Sequence, residues 1–258
     1  MSFDALICDL DGVIWTGDRP VPGAAAAVTE LQRRGVRFAF VTNNSFSGSR
    51  RYHERLRRMG IEAEERMVIT VGRATARTVR RVEGIPCRAL AIGTAELRSE
   101  LEAVGVEIIE PSAAESSDVV VVGGHPGFHY GELQAATRAL VRGAGFYATG
   151  RDRTYPVADG LAPATGAIVA AIEWAANRQA KVIGKPHAPL FQEALAQLGP
   201  SRRVAVVGDN LDSDIAGAER LGLASILVLT GSTTLEQLSQ RRPAPGRVIH
   251  SLAELCES

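Results

Sequence analysis

Asp9 and Asp11 stand two residues apart in Cys8-Asp9-Leu10-Asp11-Gly12-Val13, directly after the apolar run from Phe3 to Cys8. Two carboxylates this close, where a strand stops, disfavour each other's ionisation by whole pKa units. A divalent cation is the simplest group that offsets such a cost. Asp-Gly is also a common turn dipeptide, so the pair alone leaves a surface turn open. Three further clusters decide between these readings. Val41-Thr42-Asn43-Asn44 offers a hydroxyl and backbone N–H groups suited to phosphate oxygens. Gly184-Lys185-Pro186 places a positive charge in a turn, and Gly208-Asp209-Asn210 followed by Asp214 adds more carboxylates. Mg²⁺ takes oxygen ligands and keeps several waters, so one or two carboxylates and a substrate phosphate suit it. A carboxylate nucleophile, a second carboxylate, a metal, a lysine and hydroxyl or amide donors are together what phosphoryl transfer through an aspartyl-phosphate requires.

The elements that must position these groups read as strand, helix, strand, helix. Ala5 to Cys8 is a short apolar run of the kind buried in parallel sheets. Ala24 to Arg34 has helical spacing and stops at Gly35; Val36 to Val41 is a second strand ending at Thr42. Between them, Asp11 to Gly23 is rich in turn residues, with Val13, Ile14 and Trp15 able to form a small hairpin. A helix to Met59 carries Arg50, Arg51, Arg55, Arg57 and Arg58; such charge runs are ordinarily a solvated face. Val204 to Val207 is another buried strand, ending in Gly208-Asp209. Alternation with short connections predicts an α/β fold, a doubly wound parallel-sheet (Rossmann-like) core. Ligands in such sheets bind beyond the carboxyl ends of the strands, where Asp9, Thr42 and Asp209 all fall.

The stretch between the second and third clusters has its own strand-helix alternation. Ala89 to Ile92, Val106 to Ile109, Val119 to Val122 and Phe146 to Thr149 read as strands, and Gly150 to Pro163 as a long polar loop. About a hundred residues make a complete small α/β domain. The expected organisation is therefore a discontinuous core, residues 1–71 plus 181–258, with an inserted smaller α/β cap domain at 72–180.

Composition narrows the class. The chain has 258 residues, 45% apolar and 22% charged, ordinary for a globular protein. Lys+Arg and Asp+Glu are both 29, so no net field favours nucleic acid or an anionic membrane. Cys8, Cys87 and Cys256 are few, distant and odd in number, which suits reduced thiols in a cytoplasm and neither a disulfide framework nor a zinc site. The first residues lack a basic n-region and read as no signal peptide. No apolar run is long enough to span a bilayer. Neither GxxxxGK[ST] nor GxGxxG occurs.

The four clusters, in this order, resemble the four motifs of the haloacid dehalogenase superfamily of hydrolases. The inserted domain resembles the cap of subfamily IIA, as do Thr165-Gly166-Ala167-Ile168-Val169 before Gly184-Lys185-Pro186, and Leu229-Thr230-Gly231 near the end. The resemblance spans essentially the whole chain. It implies a Mg²⁺-dependent phosphatase in which Asp9 attacks phosphorus and Asp11 acts as acid and then base. Thr42, Asn43 and Lys185 would hold the phosphoryl group. The metal would be bound by Asp9, Asp209 and the backbone carbonyl of Asp11, with Asp214 and Asn210 supporting the site. The substrate would be a small phosphorylated metabolite: phosphoglycolate, glycerol phosphate, 4-nitrophenyl phosphate or a nucleotide. A homodimer through the cap is implied by the same resemblance.

Three positions depart from the pattern of that branch. His125 stands where an acidic residue is usual after Val122-Gly123, Thr149-Gly150-Arg151-Asp152 replaces Thr-Asn-x-Asp, and Val71 follows Ile69-Thr70. His125 and Arg151 are candidates for contact with a polar or anionic leaving group, and surface-turn roles remain open for both. Two alternatives share the motifs: a phosphomutase or phosphotransferase, and a non-catalytic phospho-ligand binding protein. Intact Asp9, Asp11, Lys185 and Asp209 argue against the second.

Overall fold

The computed structural model describes residues 3–157, 160–241 and 244–257. Strand β1, Ala5–Asp9, is buried along its whole length. A tight turn leads to the two-residue strands β2, Trp15–Thr16, and β3, Arg19–Pro20, which pair antiparallel. Helix α1, Ala24–Arg33, buries Ala24, Ala27, Val28 and Leu31, the i, i+3, i+4, i+7 stripe of an amphipathic helix. It stops at Gly35, whose φ of +87° suits a residue without Cβ. Strand β4, Arg37–Thr42, follows, then α2, Ser49–Arg58, which buries Tyr52 and Leu56. Its arginines 50, 51, 57 and 58 are exposed, while Arg55 is half-buried.

Strand β5, Val68–Thr70, leads straight into α3, Val71–Glu83, whose N-cap is Thr70; the Thr70 hydroxyl accepts the Arg73 N–H at 3.2 Å. There follow β6, Arg88–Ile92; α4, Ala95–Ala103; β7, Glu107–Ile108; β8, Val119–Val122; α5, Tyr130–Val141; and β9, Gly145–Ala148. Residues 154–157 (β10) and 160–163 (β11) pair antiparallel. The sequence suggests an irregular loop here, because Thr154-Tyr155-Pro156-Val157 alternates too briefly to declare a strand. Helix α6, Thr165–Ala176, and strand β12, Lys181–Val182, complete this region.

The chain then forms α7, Ala188–Leu198; β13, Val204–Gly208; a widened turn at Leu211–Ile215; α8, Ala216–Arg220; β14, Ala224–Val228; α9, Leu235–Gln240; and β15, Arg247–Ile249. Two compact units result. One comprises residues 1–42, 49–69 and 185–258, the other residues 43–48 and 70–184.

Among the described residues, the first unit's sheet has the order β15-β14-β13-β1-β4-β5. Pairings of β1 with β4 and β13, and of β14 with β13 and β15, are parallel. The chain runs outward from β1 to β4 and β5, and later fills the other side from β13. The order therefore reverses at β1, the place where such sheets open a crevice at their carboxyl ends. Leu6, Cys8, Phe40 and Val207 of the sheet pack with Val28, Leu31 and Leu56 of the helices in one apolar core. The second unit carries a parallel sheet of order β12-β9-β8-β6-β7 with its own core, including Val120, Val122, Leu140 and Ile172. No described helix is long and apolar enough to cross a membrane.

Candidate active site

Strand β1 delivers Asp9, 6% exposed, at its carboxyl end. Thr42 closes the neighbouring β4 and is buried. Asp209 follows β13 on the other side and is buried as well. Lys185 reaches the same place from the turn before α7, its peptide bond to Pro186 being cis. Its Nζ lies 2.7 Å from an oxygen of Asp9 and 2.7 Å from one of Asp214. Oxygens of Asp9, Asp209 and Asp214 all fall within 4.8 Å of one another.

Three buried carboxylates against one ammonium leave an excess of negative charge. Burial raises Asp9 well above the usual carboxylate range; Lys185 opposes the rise, while Asp214 and Asp209 add to it. Burial raises Asp214 also, again against Lys185. Burial by itself would lower Lys185, but the flanking Asp214 and Asp9 hold it above the ordinary lysine value. An all-oxygen, buried, over-negative donor set fits a hard divalent cation. Asp214 has little left to offer one: Oδ1 accepts from Lys185, and Oδ2 accepts the Asn210 N–H at 3.2 Å and the Ser213 hydroxyl at 3.3 Å. Asn210 in turn accepts the N–H groups of Asp212 and Ser213 at 2.9 and 3.0 Å, shaping the turn that aims Asp214 inward.

Asp209 is seated by the loop after β14. The Ser232 N–H donates to its Oδ2 at 2.5 Å, and a Cβ on Gly231 or Gly12 would collide with its carboxylate. Gly12 also has φ +81°, open to glycine at no steric cost. The Thr230 hydroxyl donates to the Gly12 carbonyl at 2.5 Å, tying this loop to the Asp9-Asp11 turn. Thr230-Gly231 is visible in sequence only as part of the family resemblance; Ser232 carries no signal, because its backbone N–H acts.

Asp11 differs from the other carboxylates. It is exposed, outside the buried trio, and its Oδ1 accepts the Trp15 indole N–H at 2.8 Å. Asn43 belongs with the second unit, and its Oδ1 would lie 2.8 Å from a Cβ on Gly184, so glycine there lets the two segments approach. His125 and Arg151 are in the second unit too. The His125 Nε2 is 3.1 Å from both oxygens of the buried Glu132, which also accepts the His129 N–H at 3.2 Å and so closes the start of α5. Arg151 pairs with Glu173 and reaches Gln179 Oε1 at 3.3 Å. Glu132 and Glu173 have no motif to mark them; each is an acid at helical spacing that only the tertiary structure turns inward.

Comparison with known proteins adds a family. A model described as haloacid dehalogenase-like hydrolase matches residues 6–107, and a HAD-hydrolase-like model matches residues 182–255. Human glycerol-3-phosphate phosphatase is 36% identical over 287 residues, covering 98% of this chain and 89% of that protein. The solved p-nitrophenyl phosphatase from Archaeoglobus fulgidus superposes with a TM-score of 0.92 at 35% identity, covering 100% and 99% of the two chains. The glycerol phosphate phosphatase of Mycobacterium tuberculosis, solved in complex with magnesium, has a TM-score of 0.89 at 33% identity, covering 98% and 76%.

Proposed function

This chain belongs to the haloacid dehalogenase-like hydrolases, in subfamily IIA, and from that membership we propose that it is a Mg²⁺-dependent phosphatase hydrolysing a small phosphomonoester through an aspartyl-phosphate. The observation that carries the reading is the Asp9 carboxylate at the switch point of the sheet, 2.7 Å from the Lys185 ammonium and beside Asp209. Relatives named for glycerol phosphate and for 4-nitrophenyl phosphate support a small ester as substrate.

In this reading Asp9 is the nucleophile. Its raised proton affinity falls when positive charge gathers at the site, which frees the carboxylate to attack phosphorus. Lys185 neutralises charge on the transferring group, and Thr42 and Asn43 donate to its oxygens. Asp11 protonates the leaving oxygen, then takes a proton from the water that opens the Asp9 acyl-phosphate. Asp9, Asp209 and the Asp11 backbone carbonyl would hold Mg²⁺, which when bound screens the phosphate charge. Asp214 fixes Lys185, and Asn210 fixes Asp214. The inserted domain selects the ester, with His125 and Arg151 as its candidate contacts; each is held by a carboxylate of its own unit. A cytoplasmic location fits the free thiols, and a homodimer through the cap would cover Trp174, 91% exposed on α6.

Phosphate release from glycerol 3-phosphate and 4-nitrophenyl phosphate tests the reading. Turnover should need Mg²⁺, stop with EDTA and vanish in Asp9→Asn. Full turnover in that variant would refute the nucleophile, and phosphate passed to an added sugar instead of water would make the protein a transferase.

A further inference from the structure

The acid-base carboxylate has a dedicated holder. We propose that Trp15 is a positioning residue for Asp11, its indole N–H setting the rotamer from which the carboxyl serves the leaving oxygen; this rests on the phosphatase reading above and deepens it.

An exposed aspartate in a turn ordinarily samples several rotamers. Asp11 is exposed, yet its Oδ1 accepts the Trp15 Nε1–H at 2.8 Å. An indole nitrogen only donates, so this bond leaves Oδ2 free to carry or receive a proton. A ring that wandered would fix nothing, but Trp15 is fully buried. It lies parallel to Tyr52, with 4° between the planes and 6.2 Å between centroids. The Arg55 guanidinium sits 4.1 Å from the indole centroid, a cation–π contact, and donates to the Gly17 carbonyl at 2.5 Å. Tyr52 and Arg55 both come from α2, whose buried Leu56 anchors it to the core. The backbone closes the arrangement: the Gly12 N–H donates to the Trp15 carbonyl at 2.6 Å, and Asp11 and Trp15 form a β-bridge.

A buried indole N–H needs some acceptor, and a backbone carbonyl would satisfy it equally well. The acceptor here is the one carboxylate the reaction uses as a proton carrier. It is held by a residue four positions along, whose ring is clamped by a separate helix. A fixed rotamer matters most where proton delivery limits bond cleavage, since a displaced catalytic group loses rate steeply. An alkoxide leaves poorly without a proton, whereas 4-nitrophenolate leaves unaided.

The test compares kcat/KM, which covers steps up to departure of the leaving group, for glycerol 3-phosphate and 4-nitrophenyl phosphate. Trp15→Phe keeps a ring and removes the N–H. The expected loss is about ten- to a hundredfold on the alkyl ester and under about threefold on the aryl ester. Arg55→Gln keeps the indole N–H but removes the guanidinium that covers the ring, and it leaves no buried ring volume empty. It should show the same selectivity at smaller size, so the inference stays testable if Trp15→Phe folds poorly. Equal losses on both esters, or none, in these variants would overturn the role of Trp15 while wild-type turnover upholds the phosphatase. Wild-type protein that cleaves neither ester would overturn the reaction itself.

Discussion

Lys185 and Asp214 form a buried ion pair, Nζ to Oδ1 at 2.7 Å, with side chains 3% and 0% exposed. Removing one partner of such a pair strands the other's charge, which costs far more than the pair gains. Lys185→Met leaves Asp9, Asp209 and Asp214 with no counter-charge. Urea unfolding in EDTA should show a loss of about 3–5 kcal/mol. Lys185 is raised above its unfolded value, so its contribution is complete below the ordinary lysine range and disappears only as pH climbs through the folded value. Lys185 itself stays charged over this range, but its loss lets the buried Asp9 and Asp214 hold their protons to higher pH, so the deficit of the variant should widen as pH rises from about 6 to about 9.

Metal and protons compete for the same oxygens. The raised Asp9 keeps a proton in the metal-free fold that the unfolded chain has released. That contribution is present below the ordinary aspartate range and is lost as pH rises through the raised value, which is where a cation can replace the proton. The rise in Tm on adding MgCl2 should be larger at about pH 7.5 than at about pH 5.5. Equal rises in paired thermal scans would contradict the placement of the cation on Asp9.

Gly231 lies directly against the Asp209 carboxylate. Gly231→Ala must displace that side chain, and groups that orient a ligand typically govern metal affinity by about 10–100-fold. The Mg²⁺ concentration for half-maximal turnover should rise by that factor, with kcat recovering at saturating metal. A fall in kcat that no metal concentration relieves would place the damage elsewhere.

Glu132 holds both the His125 ring and the start of α5. Glu132→Ala should lower stability by about 1–2 kcal/mol, the cost of unpairing buried polar groups. His125→Ala and Arg151→Ala address substrate selection. Over a panel of phosphate esters, both should reorder the ranking by kcat/KM. An unchanged ranking would remove both residues from substrate contact.

The chain's own order of residues determines the fold class and the core of the candidate site. Each of Asp9, Thr42 and Asp209 ends a short apolar run, and period and length suffice to read such a run as a buried parallel strand. A doubly wound sheet then sends every strand end to one edge, so residues some two hundred positions apart are legible as one set. Periodicity states only which side chains face inward. It does not state rotamers or partners across the sheet, and those are decided by packing. That Asp214 rather than Asp209 takes Lys185, that Ser232 and Gly231 seat Asp209, and that 154–157 pairs with 160–163 are such decisions. The pairing of β12 with β9 is another, since two residues carry no period. The two carboxylates of the Asp9-Asp11 pair are neighbours in sequence, but the tertiary structure separates them. Asp9 is drawn into the buried carboxylates by its ion pair with Lys185, and Asp11 is turned outward onto the Trp15 indole, which Tyr52 and Arg55 of α2 hold in place.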